Sequence, residues 1–233
     1  MTRPVCAIVG AGPGNGAAFA RRFTAAGYRV GLLARDGQRL AALARELPGS
    51  MAFSCDLLVP ATLTVAFERL ERELGPVQTL IYNAGNYARG GVESTEPAQL
   101  EASFRLNAVG CLRAVQHVVK GMRQRGSGEI IVIGATAAWR GREGSLPFAA
   151  AKAGQRIMVQ SMARELAPQG IHVAYVVIDA VIESPRMRLL FPCRGADAFA
   201  QPDDIAASVA HLVQQPRSAW TFELDLRPHL EKW

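Results

Sequence analysis

The sequence predicts an α/β protein in which one doubly wound parallel sheet lies between two layers of helices. Short apolar runs of strand length alternate with longer helical patterns along nearly all of the 233 residues. Such alternation is typical of a parallel sheet with helices on both faces. The composition agrees, because 49% hydrophobic and 20% charged residues are ordinary for a globular protein. We expect a chain of this length to form a single domain, residues 1–233.

In the first half of the chain, each predicted strand is a short apolar run and each helix ends at glycine or proline. Gly27 ends the first helix, and Pro48-Gly49 ends the second. The third helix shows apolar residues three and four positions apart. The predicted strands here are Val5–Val9, Arg29–Ala34, Met51–Cys55 and Leu80–Tyr82, and the predicted helices are 15–26, 37–47 and 60–74.

In the second half the same alternation continues to the end of the chain. The last strand alternates apolar and polar residues, which is typical of an edge strand. The predicted strands are Glu129–Ile133, Val173–Ile178 and Thr221–Leu226, and the predicted helices are 97–125, 148–166 and 202–214. Ligands of such sheets bind beyond the carboxyl ends of the strands, where the strand order reverses.

Charge, cysteine content and hydropathy exclude several classes of protein. The net charge is +6, but no arginine block with interleaved aromatic residues is present, so we expect no nucleic-acid partner. The apolar runs are far shorter than a membrane span, and the first strand leaves no room for a targeting peptide, so we expect no membrane partner and a cytoplasmic location. The four cysteines show neither pairing nor metal-ligand spacing, and we expect them to be reduced and to bind no metal.

A glycine-rich turn follows the first strand and opens the first helix. It contains Gly10, Gly12, Gly14, Asn15 and Gly16. Glycine permits a positive φ and a close backbone approach to a pyrophosphate, and the free N–H groups of the following helix can bind the phosphates. The strand before it and the helix after it are the context that this motif requires. The alternative is a glycine-rich turn that binds no ligand.

Together with Phe148-Ala149-Ala150-Ala151-Lys152, this turn makes the chain resemble the short-chain dehydrogenase/reductase family. The glycine spacing is that family's version of the motif, and the resemblance extends from about Val5 to Asp225. It implies a three-layer Rossmann fold and a nicotinamide cofactor. By the same resemblance, Asp56 and Leu57 lie beside the adenine ring, and Asn83, Ala84 and Gly85 shape the cofactor cleft. Asp56 is alternatively a turn aspartate, and Asn83 alternatively a structural residue.

The end of the second strand selects between the two nicotinamide cofactors. An acidic residue there would bond the ribose hydroxyls, whereas a basic residue would bind a 2′-phosphate. Arg35 stands at this position and favours NADP. Asp36 follows directly and could turn toward the ribose instead, so NAD stays the alternative.

The resemblance also implies a catalytic set of Asn, Ser, Tyr and Lys, of which only two members are present. Asn107 matches the Asn and Lys152 the Lys, but Phe148 stands at the Tyr position and Ala135 at the Ser position. In the family the Tyr exchanges a proton with the substrate oxygen, and the Lys lowers the pKa of that Tyr. Thr136 is the nearest substitute for the Ser, and Ser145 and Tyr87 are weaker substitutes. Lys152 could donate to the substrate itself or only bind the nicotinamide ribose.

The C-terminal third departs further from the family pattern. Ser184 is the best match to the family Thr that contacts the nicotinamide carboxamide, and 185–201 forms a short substrate lid with several arginines. Those arginines could bind an acidic substrate or could be solvated loop charges. By resemblance the alanine-rich helix from Phe148 packs in a homodimer, and a homotetramer is less secure because the usual glycine-rich final strand is missing.

The sequence therefore favours an NADP(H)-dependent oxidoreductase that acts on a small carbonyl or hydroxyl compound through an altered proton-transfer site. The alternative is a catalytically inactive NADP(H)-binding protein with a regulatory or scaffolding role. A lyase or isomerase without net hydride transfer is a third hypothesis.

Overall fold

Seven parallel strands form the central sheet of the computed structural model, which describes residues 3–231. The strand order is β3-β2-β1-β4-β5-β6-β7. Strands β2 and β3 are therefore added on one side of β1 and strands β4 to β7 on the other, so the order of the strands reverses between β1 and β4. The predicted fold class is confirmed. The strands are β1 (Val5–Val9), β2 (Arg29–Ala34), β3 (Ser50–Ser54), β4 (Val77–Tyr82), β5 (Gly128–Ile133), β6 (Ile171–Ile178) and β7 (Glu223–Leu226).

Helices cover both faces of this sheet. They are α1 (Asn15–Ala25), α2 (Gly37–Glu46), α3 (Pro60–Leu74), α4 (Pro97–Phe104), α5 (Gly110–Arg125), α6 (Leu146–Leu166), α7 (Pro185–Leu190) and α8 (Pro202–Val213). Apolar residues of α1, α2 and α8 bury one face of the sheet, and those of α3, α5 and α6 bury the other. No helix within residues 3–231 is long and apolar enough to cross a membrane.

Two predicted helices differ from the observed ones in a way that affects the site. The predicted helix 97–125 is interrupted by a π-helical turn at Arg105–Val109, which separates α4 from α5. A π turn breaks the regular hydrogen-bond ladder, and such turns are frequent at functional sites. Helix α6 begins at Leu146, two residues before Phe148, because Pro147 can occupy the first turn without an N–H.

The remaining boundaries follow from burial. All eight residues of β6 are buried, because this strand has neighbours on both sides and helices on both faces. Strand β4 begins at Val77, three residues earlier than the apolar pattern predicts. Strand β7 begins at Glu223, two residues later than predicted, and it lies at the edge of the sheet as its alternating pattern predicts.

Candidate active site

A cleft of about 830 Å³ opens at the carboxyl ends of β4, β5 and β6, beside the start of α1. Its position is the one expected for a parallel sheet whose strand order reverses between β1 and β4. Nine of the residues predicted for the site line this cleft: Gly14, Asn15, Asn83, Gly85, Ala135, Thr136, Phe148, Lys152 and Ser184.

The glycine-rich turn is packed tightly at its ends and open in its middle. Gly10 has φ +88°, and a Cβ there would lie 2.5 Å from the Ala84 nitrogen. A Cβ at Gly16 would lie 2.6 Å from the Ala11 Cα, whereas Gly12 and Gly14 have no atom within 4 Å of that position. The two outer glycines therefore let the backbone segments meet, and the two inner ones leave open space at the start of α1.

The start of α1 has polar groups that a ligand could use. The helix has no side-chain cap, so its first N–H groups keep the ability to bind an anion. Asn15 is buried, and its Oδ1 has no hydrogen-bond partner among residues 3–231. The Asn83 amide donates to the Gly10 carbonyl at 2.8 Å and so holds the turn against β4. This contact agrees with the structural interpretation of Asn83.

Lys152 is a buried cation at the floor of the cleft. Its Nζ donates to the Ile133 carbonyl at 3.0 Å and to Gln155 Oε1 at 2.9 Å. A Cβ added to Gly85 would lie 3.7 Å from this Nζ. Burial lowers the pKa of Lys152 to about 8, against a small opposing effect of Cys111. An ammonium has three hydrogens, so one is left for a ligand, and this pKa permits proton exchange near neutral pH.

Asn107 lies in the π turn, behind Lys152. Its side-chain amide donates to Asn86 Oδ1 at 2.9 Å, and its own Oδ1 has no partner among the described residues. A Cβ on Gly85 would lie 2.9 Å from that oxygen. The Asn107 backbone carbonyl accepts from Gln155 Nε2 at 2.6 Å. Gln155 therefore connects the Lys152 ammonium to the π turn through both ends of one side-chain amide.

Phe148 and Ala135, the residues that the sequence analysis assigns to the Tyr and Ser positions of the family, both line this cleft and carry no hydroxyl. Phe148 packs edge-to-face on Tyr87, with ring centroids 5.1 Å apart. Ala135 lines the cleft, and Thr136 follows it at the start of a short helical turn. The Thr136 hydroxyl donates to Asp179 Oδ1 at 2.5 Å, so its hydrogen is engaged away from a substrate oxygen. Thr136 can still accept a hydrogen bond.

Asp179 is a buried carboxylate at the carboxyl end of β6. Besides the Thr136 hydroxyl, it binds Arg140 Nη2 at 2.8 Å, and Arg227 Nη1 lies 3.6 Å away. Such partners offset the cost of burying a polar group. The cluster fixes the wall of the cleft between β5 and β6 and holds Arg140 at its rim.

The residues at the end of β2 lie outside the cleft lining. Arg35 is exposed, and its side chain has no hydrogen bond or ion pair within residues 3–231. Asp36 caps α2: its Oδ1 accepts from the Arg39 backbone N–H at 3.0 Å, and its Oδ2 lies 3.6 Å from Arg39 Nε. Both oxygens of Asp36 thus face Arg39.

Three other predicted cofactor residues make local contacts. The Asp56 carboxylate accepts from the Leu58 backbone N–H at 2.9 Å, which agrees with the turn interpretation. Leu57 is buried in the core on the α3 side of the sheet. The Ser184 hydroxyl accepts from the Met187 N–H at 3.2 Å and caps α7, which opens the predicted lid segment.

Sequence reasoning missed several residues of this site, above all Gln155 and Arg140. Gln155 is a single amide on the buried side of an alanine-rich helix, three residues after Lys152, and that unusual placement was the available signal. Asp179 directly follows the fully buried strand β6, but its partners come from distant segments. Arg140 lies in a loop without a pattern, so no local signal could identify it.

Comparisons with known proteins agree with this geometry. A family model described as short chain dehydrogenase matches residues 4–188. The chain is 30% identical over 220 residues to a human 3-oxoacyl-(acyl-carrier-protein) reductase, covering 91% of this chain and 92% of that protein.

Two solved structures share the fold closely. A short-chain dehydrogenase from Rhodopseudomonas palustris is 31% identical, with a TM-score of 0.84 and coverage of 97% of this chain and 99% of that one. A metagenomic short-chain oxidoreductase solved in complex with NADP is 26% identical, with a TM-score of 0.84 and 98% coverage of each chain. This protein therefore belongs to the short-chain dehydrogenase family.

Proposed function

We propose that this chain is an NADP(H)-dependent oxidoreductase that interconverts a carbonyl and a hydroxyl group of a small molecule at an altered proton-transfer site. The observation that carries the proposal is the placement of a buried ammonium, Lys152, in the same cleft as the open glycine turn. Such a cleft can hold a dinucleotide and supply a proton donor to a second ligand.

The residues around the turn fit a nicotinamide dinucleotide. Gly12 and Gly14 leave space for the pyrophosphate at the uncapped start of α1, and the unpartnered Asn15 Oδ1 offers an acceptor. Gly10 and Gly16 would hold the turn in shape. When bound, the cofactor supplies or accepts the hydride. The NADP in the metagenomic relative supports the same assignment.

The end of β2 favours NADP over NAD. Asp36 is engaged with Arg39 as the cap of α2, which leaves its carboxylate poorly placed to bond a ribose. Arg35 is exposed beside it, and its side chain makes no hydrogen bond or ion pair within residues 3–231. A guanidinium binds a phosphate with paired, charge-assisted hydrogen bonds, so Arg35 is suited to a 2′-phosphate. Asp56, Leu57 and Ser184 would border the adenine and nicotinamide ends.

Lys152 takes over the proton chemistry in this proposal. Phe148 and Ala135 provide no hydroxyl, and the Thr136 hydrogen goes to Asp179. The third hydrogen of the Lys152 ammonium can reach the cleft, and its pKa of about 8 lets it donate and recover a proton near neutral pH. Asn107 and Gln155 keep this ammonium in position.

A second candidate function is a catalytically inactive NADP(H)-binding protein. The missing hydroxyls at Phe148 and Ala135 favour it. Losing a general acid typically costs about 10²–10⁴ in rate, and losing one oxyanion donor about 10²–10³, although such losses overlap. The cofactor residues would be the same in both proposals, so binding alone does not separate them.

The test combines a binding titration with a turnover assay. NADPH and NADH are titrated by fluorescence, and NADPH loss is then followed with a panel of carbonyl compounds. We expect NADPH to bind more tightly than NADH. Arg35→Gln should lower the affinity for NADPH by roughly 10- to 100-fold, the effect of one charge-assisted contact, and leave the affinity for NADH unchanged. Arg45→Gln, at the other end of α2, is the matched control. Absence of binding would refute the proposal.

Restoring the hydroxyls separates the enzyme from the inactive protein. Slow turnover by the wild-type chain, which Phe148→Tyr with Ala135→Ser raises about 10²-fold, supports an enzyme with an altered site. Turnover only in the double variant supports the inactive alternative. Tyr87→Phe is the control, because it removes the phenol hydroxyl of the ring that packs on Phe148 and leaves the hydrogen bonds of Lys152 unchanged.

We also propose a homodimer that uses the outer faces of α5 and α6. Leu112 on α5 and Ile157 on α6 are exposed to 37% and 57%. Exposed apolar side chains on adjoining helices are common at subunit contacts. Light scattering after size exclusion should give twice the 25.0 kDa chain mass, and Ile157→Glu should reduce it to one chain.

A further inference from the structure

Two arginines of the cleft lining, Arg89 and Arg142, lie in segments that a small piece of backbone pairing joins. Gly90 and Ser145 form an isolated parallel bridge, in which the Gly90 N–H donates to the Gly144 carbonyl at 3.0 Å. Arg89 directly precedes this bridge on one side. On the other side, the Ser145 hydroxyl donates to the Arg142 carbonyl at 2.6 Å and closes the turn. Both arginines line the cleft.

Within residues 3–231, these two guanidinium groups have no carboxylate partner. No Asp or Glu oxygen of the described residues lies within 4.0 Å of Arg89 or Arg142. The other arginines of the cleft wall are neutralised: Arg140 by Asp179, and Arg194 by Glu231.

Two of the three lid arginines, Arg188 and Arg194, also have carboxylate partners. Arg188 binds Glu183 at 2.9 Å, and the guanidinium groups of Arg188 and Arg194 both lie over the Phe199 ring. The three acidic residues of the cleft lining, Asp179, Glu183 and Glu231, therefore all form ion pairs. Among the lining arginines, the positive charge without an ion pair within residues 3–231 lies at Arg89 and Arg142.

An apolar surface separates this charge from Lys152. The Arg89 guanidinium lies 5.4 Å from the centre of the Tyr87 ring, which in turn packs at 5.1 Å on Phe148. Phe148 lies one helical turn before Lys152 on α6. A ligand that reaches from Lys152 to the arginines would thus lay an apolar body against two aromatic rings.

We infer that the substrate carries an anionic group, a carboxylate or a phosphate, that Arg89 and Arg142 bind, while its carbonyl lies at Lys152. The inference rests on the proposed function and deepens it by naming the substrate class. Guanidinium groups bind both anions through paired, charge-assisted hydrogen bonds. The Tyr87 and Phe148 rings beside this charge suit a substrate with an aromatic or other apolar body.

The test measures binding to the NADP⁺-loaded protein, in which an aldehyde cannot be reduced. Calorimetry compares para-carboxybenzaldehyde with para-carbamoylbenzaldehyde, which has the same shape without the charge, and with para-formylphenyl phosphate. We expect one of the two anions to bind at least tenfold more tightly than the amide. Arg89→Gln and Arg142→Gln should each weaken that anion about tenfold and leave the amide unchanged.

Arg186→Gln is the matched control, because it removes an exposed lid arginine that does not line the cleft. NADP⁺ affinity is measured for every variant. If the wild-type protein does not bind NADP⁺, the proposed function itself is overturned. Normal NADP⁺ binding with equal affinities for the anions and the amide would overturn only this inference. This inference would also be overturned if Arg186→Gln weakened binding of the anion as much as Arg89→Gln and Arg142→Gln do. Preference for carboxylate or phosphate decides which anion the site takes.

Discussion

Replacing Gln155 with leucine is expected to lower the pKa of Lys152 and to destabilise the fold. Gln155 is fully buried, and its Oε1 accepts from the Lys152 ammonium at 2.9 Å. An acceptor of this kind favours the charged form of lysine, so its removal favours the neutral amine. A hydrogen bond to a charged group contributes about 1.5–3 kcal/mol, which corresponds to about 1–2 pKa units. The Lys152 pKa, about 8 in the wild-type protein, should fall by that amount.

The same substitution leaves the Asn107 carbonyl without its 2.6 Å donor. A buried group left without its partner costs about 1–3 kcal/mol, so together with the lost bond to Lys152 we expect the free energy of unfolding to fall by about 2.5–6 kcal/mol. Gln169→Leu is the control, because Gln169 is an exposed amide that bonds only the carbonyl one turn before it.

The assay is an NMR titration of the lysine side chains with urea denaturation alongside. Only three lysines occur in the sequence, so the Lys152 signal is readily assigned, and the exposed Lys120 is the reference in the same spectra. A stability loss with no change in the Lys152 titration would show that Gln155 only fills space. A raised Lys152 pKa would refute the reasoning outright.

Two further predictions concern the same lysine and the glycine turn. The pKa of Lys152 is lowered to about 8 in the folded protein from its ordinary value of 10.5, so the unfolded chain binds more protons between these values and stability rises with pH. This contribution should reach about 2 kcal/mol between about pH 8 and about pH 10, and urea denaturation should show its loss in Lys152→Met. Gly16→Ala should lower the melting temperature, because its Cβ would lie 2.6 Å from backbone atoms. Gly12→Ala should keep the melting temperature but weaken NADPH about tenfold, since its Cβ enters the open space at α1. Equal melting temperatures for the two glycine variants would contradict the described packing.

Local patterns in the sequence were sufficient for the fold and for half of the site. Strand β6 and helix α3 follow directly from apolar periodicity, because burial on one or both faces imposes that periodicity. The glycine turn is equally local, since a strand, a turn and a helix are consecutive in the chain. Lys152 and the absence of a hydroxyl at Phe148 could also be identified from a single segment.

The π turn could not be predicted, because the apolar pattern runs through it without a break. Its carbonyl at Asn107 is bonded by Gln155, which lies 48 positions later in the chain. Only the packing of α6 against this turn brings the two together. The predicted helical stretch 97–125 is observed with both of its bounds, and only the π turn inside it was not predicted.

The sequence by itself determined the parallel α/β architecture and the position of the glycine turn, and it predicted Phe148, Ala135 and Lys152 as candidate site residues. Each depends on neighbours within one or two elements. Only the tertiary structure decided which charged side chains form ion pairs. Asp179 pairs with Arg140 and Asp36 with Arg39, whereas Arg89 and Arg142 have no carboxylate partner within residues 3–231. Ion pairing depends on distances between segments remote in the chain, and no periodicity in the sequence records those distances.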